Sequence, residues 1–269
     1  MTSVPTAILS SAEILLPQAR TQTPLVQCLT NTVTTNLVAN AILAIGGSPA
    51  MVDIPGEAGP FASIASAVLI NLGTPSTEQR QAIVEATRAA ADAGTPWVLD
   101  PVGVGALPIR TALAQDIITL KPAVIRGNAS EIRALAGFGH GARGVDSTDT
   151  VDDAQTAATT VARTYNTVVA VSGPVDLITD GTRHLRIANG SEFFTRITGA
   201  GCALGGVIAA LSALVDDTFE AAATACLAYA VAGELAAQHS HGPGTFAAHF
   251  LDALGNLTPA HLAERAHLS

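Results

Sequence analysis

Short, continuous apolar runs alternate with longer stretches of helical period along the first two thirds of this chain. The runs at 24–29, 49–52, 67–71, 97–100, 123–126 and 167–171 are too short for helices, so each predicts a strand buried on both faces. Between them, residues 36–44, 79–93, 129–135 and 151–164 predict helices, the first two stopped by Gly46-Gly47 and Gly94-Thr95-Pro96. Residues 30–35 form a polar, Thr-rich loop suited to capping the first of these helices. Turns or loops are predicted at 53–57 and at Gly127-Asn128. Residues 176–179 and 183–187 flank Asp180-Gly181, a hairpin signal. From Ala203 the chain is mostly helical, at 207–215, 218–238 and 246–254.

Strands that alternate with helices predict an α/β fold, a mainly parallel central sheet with helices on both faces. A chain of 269 residues could hold two domains or one. No Pro/Ser-rich linker or charge run divides it, so residues 1–269 are read as one domain with a hairpin near the sheet edge. In such sheets ligands bind beyond the carboxyl ends of the strands. Asn71, Asp100, Arg126, Asn128 and Ser172 all fall at those ends.

The stretch Thr198-Gly199-Ala200-Gly201-Cys202 precedes the apolar run 207–215 and predicts a glycine turn that opens a helix. Unpaired N–H groups and the helix dipole would converge there on an anion such as a phosphate, or the turn could simply join a strand to a buried helix. Cys202 lies where turn becomes helix, a position expected to lower a thiol pKa. Cys28 and Cys226 fit the role of buried apolar residues. Asp100 follows three apolar residues, and Asn128 and Glu131 stand three apart. Carboxylates on the rim would suit Mg²⁺, whereas Asn128 with Glu131 could equally be a capping box. Arg126, at the end of an apolar strand, would need an anionic partner, a phosphate or a structural carboxylate.

Composition narrows the partners. With 48% hydrophobic and 13% charged residues, a large core can form beneath a charge-poor surface that oligomerisation could use. The net charge of −9, without Lys/Arg clusters, argues against nucleic acid and anionic membrane partners. Three cysteines without a C-x-x-C fit a reducing cytoplasm, and no basic region precedes the first apolar segment to suggest a secretory signal. The uncharged stretch 197–215 raises the question of a membrane span, but its glycines, Thr198 and Ser212 favour a buried helix. His239, His241, His249 and His261 lack metal-site spacing. Gly137-Phe138-Gly139-His140-Gly141 looks like a dinucleotide loop, yet it follows a helix, and no P-loop motif is present.

Taken together, the stretches 27–31, 47–51, 99–103, 125–131 and 198–202 resemble the hydroxyethylthiazole kinase family of thiamine biosynthesis and salvage, within the ribokinase-like fold. The resemblance implies ATP-dependent phosphorylation of the hydroxyl of 4-methyl-5-(2-hydroxyethyl)thiazole. It implies that Asn31, Val33, Met51 and Gly199 line the thiazole pocket, that Arg126, Asn128 and Ser172 serve ATP, and that Asp100 and Glu131 serve Mg²⁺. It also implies a homotrimer with sites at subunit interfaces. Gly199, Ala200 and Gly201 would bind the transferring phosphoryl group, with Cys202 as base or as an anchor for the hydroxyl. Two rivals remain: a kinase of the same fold acting on hydroxymethylpyrimidine or pyridoxal, and a non-catalytic binder of thiazole or nucleotide.

Overall fold

A computed structural model describes residues 3–138 and 151–269. Eight strands form one sheet in the order β2-β1-β3-β4-β5-β6-β7-β8. They are β1 (Leu25–Leu29), β2 (Ser48–Ala50), β3 (Ala67–Asn71), β4 (Trp97–Asp100), β5 (Val124–Asn128), β6 (Val168–Ser172), β7 (Asp176–Thr179) and β8 (His184–Ile187). The first six run parallel, and β7 and β8 add an antiparallel hairpin at one edge, as the sequence pattern predicts.

Alternate residues of the central strands serve opposite faces, which is why the strands read as unbroken apolar runs. In β3, Ala67 and Leu69 join one core while Val68 and Ile70 join the other. The first core is roofed by α1 (Val4–Gln22), α2 (Thr35–Ile45), α8 (Ala200–Ser212), α9 (Thr218–Gln238) and α10 (Pro243–Gly255), with α11 (Pro259–Arg265) beside α1. The second is roofed by α3 (Ala58–Ala62), α4 (Thr77–Ala93), α5 (Pro108–Ile118), α6 (Ala129–Leu135) and α7 (Val151–Tyr165). Capping fixes several of these ends: Ser76 Oγ accepts from Gln79 N–H at 3.1 Å to open α4, and Gly94 closes it at φ 73°.

Several boundaries move. Helix α8 begins at Ala200 rather than 207, because Gly205 and Gly206 lie inside it and allow close packing. A Cβ at Gly205 would stand 2.9 Å from Leu69, and one at Gly206 equally near Ile42. Strand β5 runs through Gly127 and Asn128, which pair in register with Val171 and Ser172 instead of forming a loop. Strand β2 is shorter than 49–52 and leaves Met51 and Val52 outside it. Thr34 occupies the N-cap of α2 without a side-chain capping bond. Helix α1 holds Pro5 near its start and Pro17 inside it, which masks its period in the sequence. Of the dinucleotide-like run, Gly139, His140 and Gly141 lie outside the described residues.

Among the described residues one helix, α9, is long and apolar enough to cross a membrane, and it is mostly buried in the protein.

Candidate active site

The carboxyl ends of β1, β3, β4, β5 and β6 form one rim, and the N-terminus of α8 lies over it. Register places Asn71 beside Asp100 and Asn128 beside Ser172. A continuous polar chain follows. Asn31 donates to Cys202 Sγ at 3.3 Å and to Asn71 Oδ1 at 3.0 Å, and Asn71 Nδ2 donates to Asp100 Oδ2 at 2.6 Å. The Arg126 guanidinium stands 3.7 Å from Asp100 Oδ2 and donates to Ser172 Oγ at 2.9 Å. Asn31, Asn71, Asp100, Arg126, Ser172 and Cys202 are therefore one connected set.

Asn71 is the member that periodicity alone does not assign a role. Its signal was a single amide ending an otherwise apolar strand that is buried along its whole length.

The glycine turn supplies the donors. Gly199 is the N-cap of α8 in the left-handed region, φ 87°, and a Cβ there would press on Thr34 at 2.7 Å. The first helical hydrogen bond is from Ala203 N–H to the Gly199 carbonyl, 2.9 Å, so the N–H groups of residues 200, 201 and 202 have no intrahelical acceptor. The space a Cβ would fill at Gly201 is occupied by the Arg126 guanidinium. A fixed cation and the positive end of a helix thus meet at one point, a geometry suited to an anion such as a phosphate.

That point opens into a cavity of about 630 Å³, bounded by Arg126, Ser172, Asp176, Phe194, Gly201 and Tyr229 among others. Its size is that of a small-molecule site. Asp176, Phe194 and Tyr229 carry no motif, and only the β6–β7 turn and the packing of α9 bring them to this wall.

Burial dominates the titration of the set. It pushes Asp100 up to about 7, helped by Glu131 and opposed by Arg126 and the Asn71 hydrogen bond. Burial likewise raises Asp176 to about 6, against the Gly173 N–H and Arg126. For Arg126, burial works against the charge, but Asp100, Glu131, Cys202 and Asp176 together raise its pKa above the ordinary value. The Cys202 thiol is pushed up, first by burial and then by the Asp100 charge. The direction is thus opposite to the lowering expected at a helix N-terminus, because loss of water and the neighbouring Asp100 carboxylate outweigh Arg126 and the hydrogen bonds with Thr34 and Asn71.

Glu131 and Asn128 form the capping box of α6. Asn128 Oδ1 accepts from Glu131 N–H at 3.0 Å, and the Glu131 carboxylate accepts from Asn128 N–H and Gly103 N–H, each at 2.9 Å. The cap does not remove Glu131 from the rim: burial raises its pKa, and Arg126 and Arg110 act on it from nearby.

Asp100 Oδ1 is buried without a hydrogen-bond partner, an atom that a cation or its water would satisfy. No cluster of three or more His, Cys, Asp or Glu able to hold a metal occurs among the described residues. It is the unpartnered Asp100 oxygen that would suit Mg²⁺, which takes few protein ligands and keeps phosphate and water for the rest.

The remaining expected residues are less enclosed. Met51 is half-buried against the first core, whereas Val33 is 63% exposed. His239, His249 and His261 share a separate groove near the ends of α9 and α10.

Comparison with known proteins agrees with this geometry. Residues 16–260 match the model of the hydroxyethylthiazole kinase family. The chain is 56% identical over 260 residues to a hydroxyethylthiazole kinase of Clavibacter sepedonicus, covering 97% of this chain and 94% of that protein. The solved structure of a hydroxyethylthiazole kinase protein from Pyrococcus horikoshii OT3 superposes with a TM-score of 0.89 at 33% identity, covering 98% of each chain. The pyridoxal kinase of Staphylococcus aureus in complex with pyridoxal has a TM-score of 0.61 at 18% identity, covering 78% of this chain and 87% of that one, a likeness of fold alone. With a ribokinase-like sheet, a cation-backed glycine turn and a match along most of its length, this chain belongs to the hydroxyethylthiazole kinase family.

Proposed function

We propose that the chain transfers the γ-phosphoryl group of ATP to the hydroxyl of 4-methyl-5-(2-hydroxyethyl)thiazole, within thiamine biosynthesis or salvage. Family membership supports the kinase reaction, and the observation that carries the mechanism is the Arg126 guanidinium seated against Gly201 at the N-terminus of α8.

In this reading Arg126 and Ser172 hold the nucleotide phosphates, and Asn128 serves the same site through the cap that orients Glu131. The N–H groups of residues 200–202 receive the charge that builds on the γ-phosphoryl oxygens. Asn31, Val33, Met51 and Gly199 hold the thiazole, with its hydroxyl beside Cys202. The alcohol oxygen bonds to the γ-phosphorus as the bond to the β–γ bridging oxygen breaks, and ADP leaves. A thiol whose pKa is raised stays protonated near neutral pH, so Cys202 positions the hydroxyl and the alcohol proton passes to a non-bridging oxygen of the transferred phosphoryl group.

Asp100, with Glu131 behind it, would hold Mg²⁺, directly or through water, and the ion would neutralise the β- and γ-phosphate oxygens. Homotrimeric assembly and a cytoplasmic location belong to the same proposal, as does action as one kinase domain over residues 1–269. The exposed apolar side chains of Val33, Leu43, Ile54 and Ile64, in the chain segment on either side of edge strand β2, support assembly.

The test is release of ADP from ATP and Mg²⁺ with each of three alcohols: the thiazole, hydroxymethylpyrimidine and pyridoxal. The thiazole alcohol is expected to drive turnover well above the others. Preference for pyridoxal or the pyrimidine would move the chain to a sister activity, and no ADP release with any alcohol would leave a binding protein.

A further inference from the structure

Tyr229 lies on α9, far along the chain from the glycine turn, yet it is 4% exposed on the wall of the cavity where that turn opens. Its hydroxyl donates to the carbonyl oxygen of Ala200 at 2.7 Å. That oxygen is at the start of α8, where it also serves the helix ladder, so the phenol takes its second lone pair. The ring is held from several sides. It stacks on Phe194 with centroids 5.1 Å apart and an interplanar angle of 24°, and it meets Phe250 at 4.6 Å. Phe194 in turn packs against Gly233, where any Cβ would collide with it.

The consequence lies in covalent geometry. The carbonyl of Ala200 and the N–H of Gly201 are two ends of one planar trans peptide and point in opposite directions. A donor fixed on the oxygen therefore aims the N–H, and by drawing electron density to the oxygen it makes that N–H a stronger donor. Gly201 has no side chain to brace this peptide plane, and its Cα faces the Arg126 guanidinium.

We propose that Tyr229 is a positioning residue for phosphoryl transfer: its hydroxyl aims and polarises the Ala200–Gly201 peptide so that the Gly201 N–H meets the transferring group. This rests on the reading of residues 199–202 as the phosphoryl-binding turn. Burial raises the Tyr229 pKa, so the phenol remains a donor throughout the working pH range. Because charge on the phosphoryl oxygens grows between bound ATP and the transition state, the peptide's contribution falls mainly on turnover.

Tyr229→Phe keeps the ring and the stacking and deletes only the donor. In the full-length protein its kcat is expected to fall about five- to tenfold, with KM for ATP and for the thiazole alcohol changed less than twofold. Affinity for ADP with fluoroaluminate and the alcohol, a mimic of the transferring group, should weaken by the same factor. Unchanged kcat, or a loss confined to KM, would overturn the proposal.

If Tyr229→Phe does not fold, a second route remains, because the chain has only two tyrosines. In a Tyr165→Phe protein, fluorinated tyrosines at position 229 grade the acidity of one phenol. Turnover that tracks this acidity is the expected result, and turnover indifferent to it would overturn the role. A wild-type chain without thiazole kinase activity would instead remove the reading on which the proposal rests, so the two failures are distinguishable.

Discussion

At Gly201 a side chain is excluded by what sits against it. Alanine is the better helix former by about 1 kcal/mol in a helix interior, but Gly201 lies in the first turn of α8 and displacing Arg126 from Asp100 and Ser172 outweighs that gain, so Gly201→Ala should lower thermal stability. Its Cβ would stand where the Arg126 guanidinium sits, and the cation must move off the turn. Displacement of the fixed cation is expected to lower kcat/KM on the order of 10²-fold, as removal of a preorganised donor does. Steady-state kinetics beside a thermal melt checks this. A variant that melts as the wild type does and turns over normally would remove Arg126 from the site.

Asp176 gives a prediction of the opposite kind. Its folded-state pKa, about 6, lies above the ordinary carboxyl value of 3.8, so the native protein holds this proton more tightly than the unfolded chain. The group therefore costs stability as pH rises through that window, and the cost is complete above about pH 6. Asp176→Asn keeps an acceptor for the Gly173 N–H, 2.9 Å away, and removes the charge. It should be more stable than the wild type at pH 8 by about 1–2 kcal/mol, less than the whole shift because the side chain reaches cavity water. Below pH 4 the gain should vanish. Denaturant titrations at the two pH values decide it, and equal stability differences at both would contradict the assignment.

The residue scale is also where legibility divides. Asp100, Arg126 and Ser172 announce themselves as polar ends of apolar strands, and a parallel sheet brings such ends together whatever the details. Asp176, Phe194 and Tyr229 reach the same cavity only through a hairpin turn and helix packing, which leave no local pattern. The state of Cys202 was legible in position but not in chemistry, because its pKa follows from burial and from Asp100, a neighbour distant in sequence.

Among the elements, the strands were legible almost throughout, since burial on both faces demands unbroken apolar runs. Most helix starts were legible too, α6, α7 and α9 to the residue, but the start of α8 was not, because Gly205 and Gly206 look like a loop until Leu69 and Ile42 are seen against them. The hairpin β7–β8 was legible from Asp180-Gly181, but what ties it to the helical layer was not. Arg183 Nε donates to Asp180 at 2.6 Å, and its terminal nitrogens donate to the two Asp217 oxygens at 2.6 and 2.9 Å. Asp217 is the N-cap of α9, accepting from Phe219 and Glu220 N–H groups, and the same guanidinium lies 4.3 Å from the Phe219 ring centre. One side chain thus joins an edge strand to the helix that carries Tyr229.

Arg183→Ala should loosen that joint. The bidentate pair is partly exposed, so a loss of about 1 kcal/mol is expected, a fall in Tm of about 2–4 °C for a chain of this size. KM for ATP should stay within twofold, because the joint lies away from Arg126 and Ser172. A normal Tm would show that solvent already screens the pair. A large rise in KM would show instead that α9 transmits the change to the nucleotide cavity.

For the whole molecule, the apolar surface is the feature that one chain leaves unexplained. Val33, Leu43, Ile54 and Ile64 are 63, 57, 47 and 72% exposed, and all fall between Val33, just before α2, and Ile64, just before β3, the segment that contains the short edge strand β2. Single exposed hydrophobics are ordinary, but several in one segment would suit the contact surface of the proposed trimer. Val33 belongs to the proposed thiazole pocket and Ile54 follows Met51 closely, so a neighbour seated here would also close that pocket. Light scattering of the wild type should then give three times the mass of one chain. Ile54→Lys, which places a charge in the contact, should shift the protein to smaller species and raise KM for the thiazole alcohol about tenfold or more, with KM for ATP changed far less. The cavity proposed for ATP is lined by residues between Arg126 and Ala230, none of them in this segment. A monomeric wild type with full activity at low concentration would refute shared sites, and the exposed Val33 would then contact substrate only across open solvent.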